Sequence, residues 1–108
     1  MKNNLIPLEE IPDEDKFWKG TRFRQYEIGL NVENKEDDFY EYMLAEIPGE
    51  REYMLLTCVE GYKSGSALAL VKTSEDKSKF IVTSKAVKYS MGIENVYLKK
   101  ELKVYNTV

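Results

Sequence analysis

The sequence predicts a mainly β domain bordering on α+β: a single curled antiparallel sheet or half-barrel of about six strands, with one or two short helices. Three observations carry this expectation. Short apolar segments alternate with polar residues at period two, as in Tyr26 to Val32 and Val96 to Val104. Turn-forming residues separate them, notably Pro48-Gly49 and the stretch from Gly61 to Gly65. The chain has 108 residues, the size of one domain.

In chain order, Pro7 and Pro12 make residues 1–12 an extended arm ahead of a globular body over residues 13–105. Asp13 to Gly20 reads as one or two helical turns, with acids at the start and a glycine at the end, or as a loop pinned by Phe17 and Trp18. Thr21 to Val32 reads as a strand. Phe23 is out of phase with Tyr26, Ile28, Leu30 and Val32, so a bulge is expected near Arg24-Gln25. Residues 36–47 admit two readings. Asn34 and Asp37 could open a helix, whereas three aromatics in the four residues Phe39 to Tyr42 favour a strand. Tyr53 to Val59 lies beyond the Pro48-Gly49 turn, so the pair reads as a hairpin.

Ser66 to Lys72 is a strand of small and apolar residues, expected to be buried on both faces. Phe80 to Thr83 is a short strand. Ser84 to Met91 has Val87 and Met91 four apart and Gly92 behind them, the spacing of a helical turn and its stop. Val96 to Tyr105 is a half-buried strand in which Lys100 interrupts the apolar phase and marks an expected exposed edge.

Composition narrows the function. The hydrophobic fraction of 43% and charged fraction of 32% suit a folded, soluble domain. No apolar run is long enough to cross a bilayer as a helix. The first residues lack the features of a secretory signal, and a single cysteine, Cys58, fits a reducing compartment. The expected location is the cytoplasm. There is no histidine, so Ser–His and Cys–His nucleophiles and Cys/His zinc sites cannot be built from this chain. No catalytic, cofactor or metal residues are expected.

The charge is sorted along the chain. Glu27 to Glu60 holds ten acids and two basic residues, a local net of −8, whereas Gly61 to Val108 holds nine lysines and four acids, a net of +5. Read as a surface, the acidic tract attracts a basic partner and repels nucleic acid; read as a solvated face, it is balanced by the lysines that follow. The first reading selects Glu36, Asp37, Asp38, Glu41, Glu50 and Glu52 for electrostatic contact, with Tyr62 and Lys63 of the glycine-flanked turn at the rim. Eight tyrosines suit either an interface or cross-strand packing. Gly61 to Gly65 lacks the order and the following helix of a phosphate loop.

Several segments, in order, resemble the small bacterial immunity proteins of polymorphic toxin systems, in particular the immunity protein forty-five family. They are Phe17-Trp18-Lys19-Gly20-Thr21-Arg22-Phe23, Phe39 to Gly49, Gly61-Tyr62-Lys63-Ser64-Gly65 with the apolar strand behind it, and Glu94-Asn95-Val96-Tyr97-Leu98. Ser84 to Gly92 departs from the family pattern, carrying Tyr89 where a tryptophan is expected. The resemblance implies a protein that binds a toxin domain and holds it inactive, without catalysis, by charge-steered occlusion. The alternative is a β-rich adaptor or accessory protein that takes a peptide or subunit, whose signature would be a bare apolar strand edge. A small enzyme using carboxylates with Tyr or Lys would need two facing carboxylates in a deep pocket. Oligomeric state is not encoded in these patterns.

Overall fold

A computed structural model describes residues 5–26, 39–60, 65–74 and 81–100. It is mainly β. Strands β1 (Leu5–Pro7), β3 (Arg22–Tyr26), β4 (Phe39–Ile47), β5 (Glu50–Glu60), β6 (Ala67–Lys72) and β8 (Val96–Lys99) form one open antiparallel sheet in the order β1-β8-β3-β4-β5-β6. Strands β2 (Lys16–Trp18) and β7 (Ile81–Thr83) form a separate antiparallel pair, and the helix α1 (Ser84–Met91) follows β7 directly. A 3-10 turn occupies Leu8–Glu10.

The aromatic preference of Phe39 to Tyr42 wins over the helix-opening residues, and Phe39–Ile47 is a strand. Its partner β5 returns through Pro48-Gly49, where Gly49 adopts φ +80°, a conformation open to glycine at little steric cost. Pairs such as Tyr42↔Cys58 and Leu44↔Leu56 put buried residues of both strands on one face. Phe23 joins them from β3, Val96 from β8 and Val71 from β6. The 3-10 turn, Phe17 and Val82 of the small pair, and Val87 and Met91 of α1 cover this face and close the core. Phe17 meets Phe23 edge-to-face at 5.2 Å between centroids, an aromatic geometry favoured by the ring quadrupoles.

The helix begins as its sequence dictates. The Thr83 hydroxyl accepts a hydrogen bond from the Ala86 N–H at 3.2 Å, capping an otherwise orphaned donor. The helix ends at Gly92, whose φ of 79° and ψ of −177° lie in a region essentially reserved for glycine. Lys88 ties α1 to the N-terminal segment: its ammonium donates to the Ile11 carbonyl and to Asp13 Oδ1, each at 2.7 Å. The hydrogen bond and charge of Lys88 hold the Asp13 carboxyl below its ordinary range.

Five expectations are corrected. Lys16–Trp18 is a strand, not part of a helix, because Phe17 pairs across to Val82 and points into the core. Leu5–Pro7 is no loose arm; it pairs with β8, and Leu8 behind it is fully buried. No bulge interrupts β3, which pairs in unbroken register with both β4 and β8. Phe23 and Tyr26 point to opposite faces and are both buried because each face of β3 is covered. Finally, β6 is not buried on both faces. It is an edge strand, with Ala67, Leu68 and Leu70 exposed and Val71 inward, whereas the strand expected to form an edge, β8, lies between β1 and β3. The expected strand continuations over residues 27–32 and 101–105, with Phe80, fall outside the described residues.

Candidate interaction surface

The acidic tract divides into separate groups. Glu41 lies on β4 opposite Arg24 of β3, with Arg22 one pleat away and Lys99 opposite Arg22 on β8. Its side chain is 0% exposed, so it is not the outward contact residue that its sequence position implied. Instead Oε2 accepts from Arg22 Nη1 at 3.1 Å and Lys99 Nζ at 3.0 Å, while Oε1 accepts from Arg24 Nη2 at 3.2 Å and Nε at 3.3 Å. A buried carboxylate needs such partners. Burial pushes its pKa up, but the hydrogen bonds and charges of Lys99 and Arg22, with Arg24 adding to them, outweigh this and hold the carboxyl below its ordinary value.

Aromatic rings wall this cluster in. The Arg24 guanidinium stacks 3.9 Å above the Phe39 ring centre and lies 3.3 Å from the Tyr26 hydroxyl. Tyr26 in turn meets Phe39 and Tyr97 edge-to-face at 5.9 and 5.7 Å. The face of β3 opposite the main core is therefore a second, polar-aromatic nucleus.

Glu50 and Glu52 sit at the other end of the hairpin. Glu41 lies six residue steps along β4 from Ile47, the partner of Glu50, a span of about 20 Å at strand rise. Glu50 Oε2 accepts the Glu52 N–H at 2.8 Å, and Glu52 Oε1 lies 3.9 Å from Lys72 Nζ on β6. Glu46 lies 3.4 Å from Lys19 Nζ. Three of the described acids of the tract thus face cations of other segments, and the described acids form no continuous wall. Glu36, Asp37, Asp38, Tyr62 and Lys63 lie outside the described residues.

The border between β6 and α1 has a different character. A groove of about 450 Å³ runs between the edge of the sheet and the helix. Leu70 and Tyr53 line its sheet side, Ala86 and Tyr89 its helix side, and Lys72 and Lys85 stand at its margins. Leu70 is 54% exposed and Tyr89 92%, with Leu68 exposed on the same strand. The Lys72 ammonium sits 5.6 Å from the Tyr53 ring centre. A second cleft, of about 360 Å³, is lined by Lys19, Gly20, Thr21, Arg22 and Lys99, but these cations are engaged with Glu41 and Glu46.

Sequence reading missed the groove. An uncharged run such as Ala67-Leu68-Ala69-Leu70-Val71 fits a strand buried on both faces and an apolar edge equally well; only the sheet order separates them. Tyr89 carried a signal, since it is three residues from Ala86 and out of phase with the buried Val87 and Met91.

Among the described residues no three His, Cys, Asp or Glu side chains are grouped to hold a metal ion, and no helix is long and apolar enough to cross a membrane. No protein-family model, curated protein or solved structure matches this chain.

Proposed function

We propose that this protein is a non-catalytic binding domain that engages another protein through the exposed border of β6 and α1. The supporting observation is the row of large apolar side chains left in solvent there: Leu68, Leu70, Tyr53 and Tyr89. Contiguous apolar surface beside polar margins is the usual mark of an interaction site, and tyrosine is prominent among energetically dominant contacts.

In the specific form that the sequence resemblance implies, the partner is a bacterial toxin domain, and binding holds it inactive by covering its working surface in the cytoplasm. Charge steering by the acidic tract would then act on encounter, and the apolar border on residence time. The adaptor reading shares the same surface and draws on the same exposed Leu68 and Leu70 side chains, although the backbone on that side of β6 is engaged by the Ser90 hydroxyl at the Leu70 carbonyl and by the Ile81 carbonyl at the Ser74 N–H. Co-expression with a neighbouring toxin gene separates the two. Growth rescue by the wild-type chain supports the immunity role; unrelieved toxicity from every adjacent effector gene, with the protein soluble and folded, rejects it.

A further inference from the structure

We propose that the cleft between the β2–β3 turn and the end of β8 binds the phosphate group of a small phosphate monoester, held by Arg22 and Lys99 with Lys19 at the rim. The cleft is separate from the β6 border: β4 and β5 lie between β3 and β6 in the sheet order.

The Glu41 cluster lacks acceptors, not donors. Glu41 takes four hydrogen bonds, two on each oxygen, which fills the lone-pair positions of a carboxylate. Arg22 gives it Nη1 alone, so Nε and Nη2 have no acceptor among the described residues. Lys99 gives it one N–H of an ammonium that carries more. Arg22 and Lys99 are cross-strand partners and both bond Oε2, so their cationic heads are held side by side. Both line the cleft, and their side chains are 36 and 27% exposed. Lys19 lines it too. Its pair with Glu46 is exposed at both ends, where solvent screens it, so Lys19 can turn to a ligand.

Charge and shape select the ligand. In this group Lys19, Arg22, Arg24 and Lys99 face only Glu41 and Glu46, a surplus of two positive charges. A phosphate monoester carries a charge of about −1.5 to −2 at neutral pH and matches that surplus, whereas a carboxylate or a phosphodiester carries a single charge. The open edge of the Arg22 guanidinium suits phosphate oxygens. A volume of about 360 Å³ accepts a small molecule. The turn is held in place: the Gly20 N–H donates to the Leu44 carbonyl at 2.7 Å and the Thr21 N–H to the Trp18 carbonyl at 3.1 Å. Recognition therefore falls to the side chains.

The test titrates glycerol 3-phosphate into the isotopically labelled full chain at pH ~7.5, where the monoester is mainly a dianion. Dimethyl phosphate and acetate at equal ionic strength are the single-charge comparisons. The monoester is expected to shift the amides of Lys19 to Arg22 and of Lys99 saturably, and to bind more tightly than either comparison. Arg22→Gln should weaken it by at least about tenfold, and Lys19→Gln, at an exposed site, by about two- to fivefold. Glu41→Gln removes the competing negative charge and should tighten binding, the reverse of what cations serving only to neutralise Glu41 would show.

Shifts confined to other surfaces, no saturation, or equal binding of dimethyl phosphate or acetate would overturn the proposal. So would undiminished affinity in Lys19→Gln, or a folded Glu41→Gln that binds no more tightly than the wild type. Lys19→Gln decides the matter if the Arg22 and Glu41 variants do not fold.

Discussion

Replacing Glu41 should destabilise this domain more than replacing any of the exposed acids around it. The carboxylate is fully buried, while Arg22, Arg24 and Lys99 are 36, 19 and 27% exposed in their side chains. Removing one partner from a buried ion cluster costs about 3–5 kcal/mol, because the remaining charges lose their compensation. Here the cations can recover some hydration, which places Glu41→Ala near the lower limit, at about 3 kcal/mol. Glu41→Gln keeps an acceptor and should cost about 2 kcal/mol by losing the charge-assisted part of the bonds. For a domain of this size, 3 kcal/mol corresponds to a melting temperature lower by roughly 12 °C or more.

Urea unfolding at a series of pH values isolates the charge. The folded-state pKa of Glu41 is depressed from its ordinary value of 4.5, so its contribution is complete above that value and is lost as the pH falls through the folded-state pKa. The stability gap between wild type and Glu41→Gln should be constant from neutral pH down to about 5 and should narrow in more acid solution. A gap below about 0.5 kcal/mol at neutral pH, or one that persists unchanged at pH ~3, would refute the ion-cluster reasoning.

Other perturbations address separate links. Thr83→Ala removes the cap of α1 and should cost about 1 kcal/mol in urea unfolding, with Thr83→Ser restoring most of it. Gly92→Ala should cost about 1–3 kcal/mol through backbone strain alone, because an added Cβ would meet nothing within 4 Å. Leu44→Ala in the sheet core should cost about 2–5 kcal/mol, read from the shift of the denaturant midpoint at constant slope. Tyr89→Ala, at a site 92% exposed, should change stability by less than about 0.5 kcal/mol yet weaken partner binding measured by calorimetry.

The fold was more legible in the sequence than the site, for a physical reason. Period-two alternation and turn residues are local, so the hairpin of β4 and β5, the helix after Thr83 and the apolar phase of Val96 and Leu98 could all be read from neighbours in the chain. Which strand lies at an edge is decided by pairings between distant segments. The short β1 pairs with β8 and makes an interior strand of the one expected at the border, while β6 becomes the border. The same non-locality governed Glu41. A carboxylate in an acidic run looks like surface, and its burial follows from Arg22, Arg24 and Lys99 arriving from two other strands. Lys16–Trp18 was misread for a related reason: acids before it and a glycine after it imitate a helix, but the strand exists because β7 is there to pair with it.

The proposed function depends on the exposed border of β6 being a contact surface for another protein. Affinity for any toxin domain against which the chain is found to protect in co-expression, measured by calorimetry for the wild type and for Leu70→Lys, tests this most directly. A loss of at least about tenfold in the variant, with its melting temperature unchanged, is the predicted result. Equal affinities for the two proteins would place the working surface elsewhere on the molecule and contradict the account.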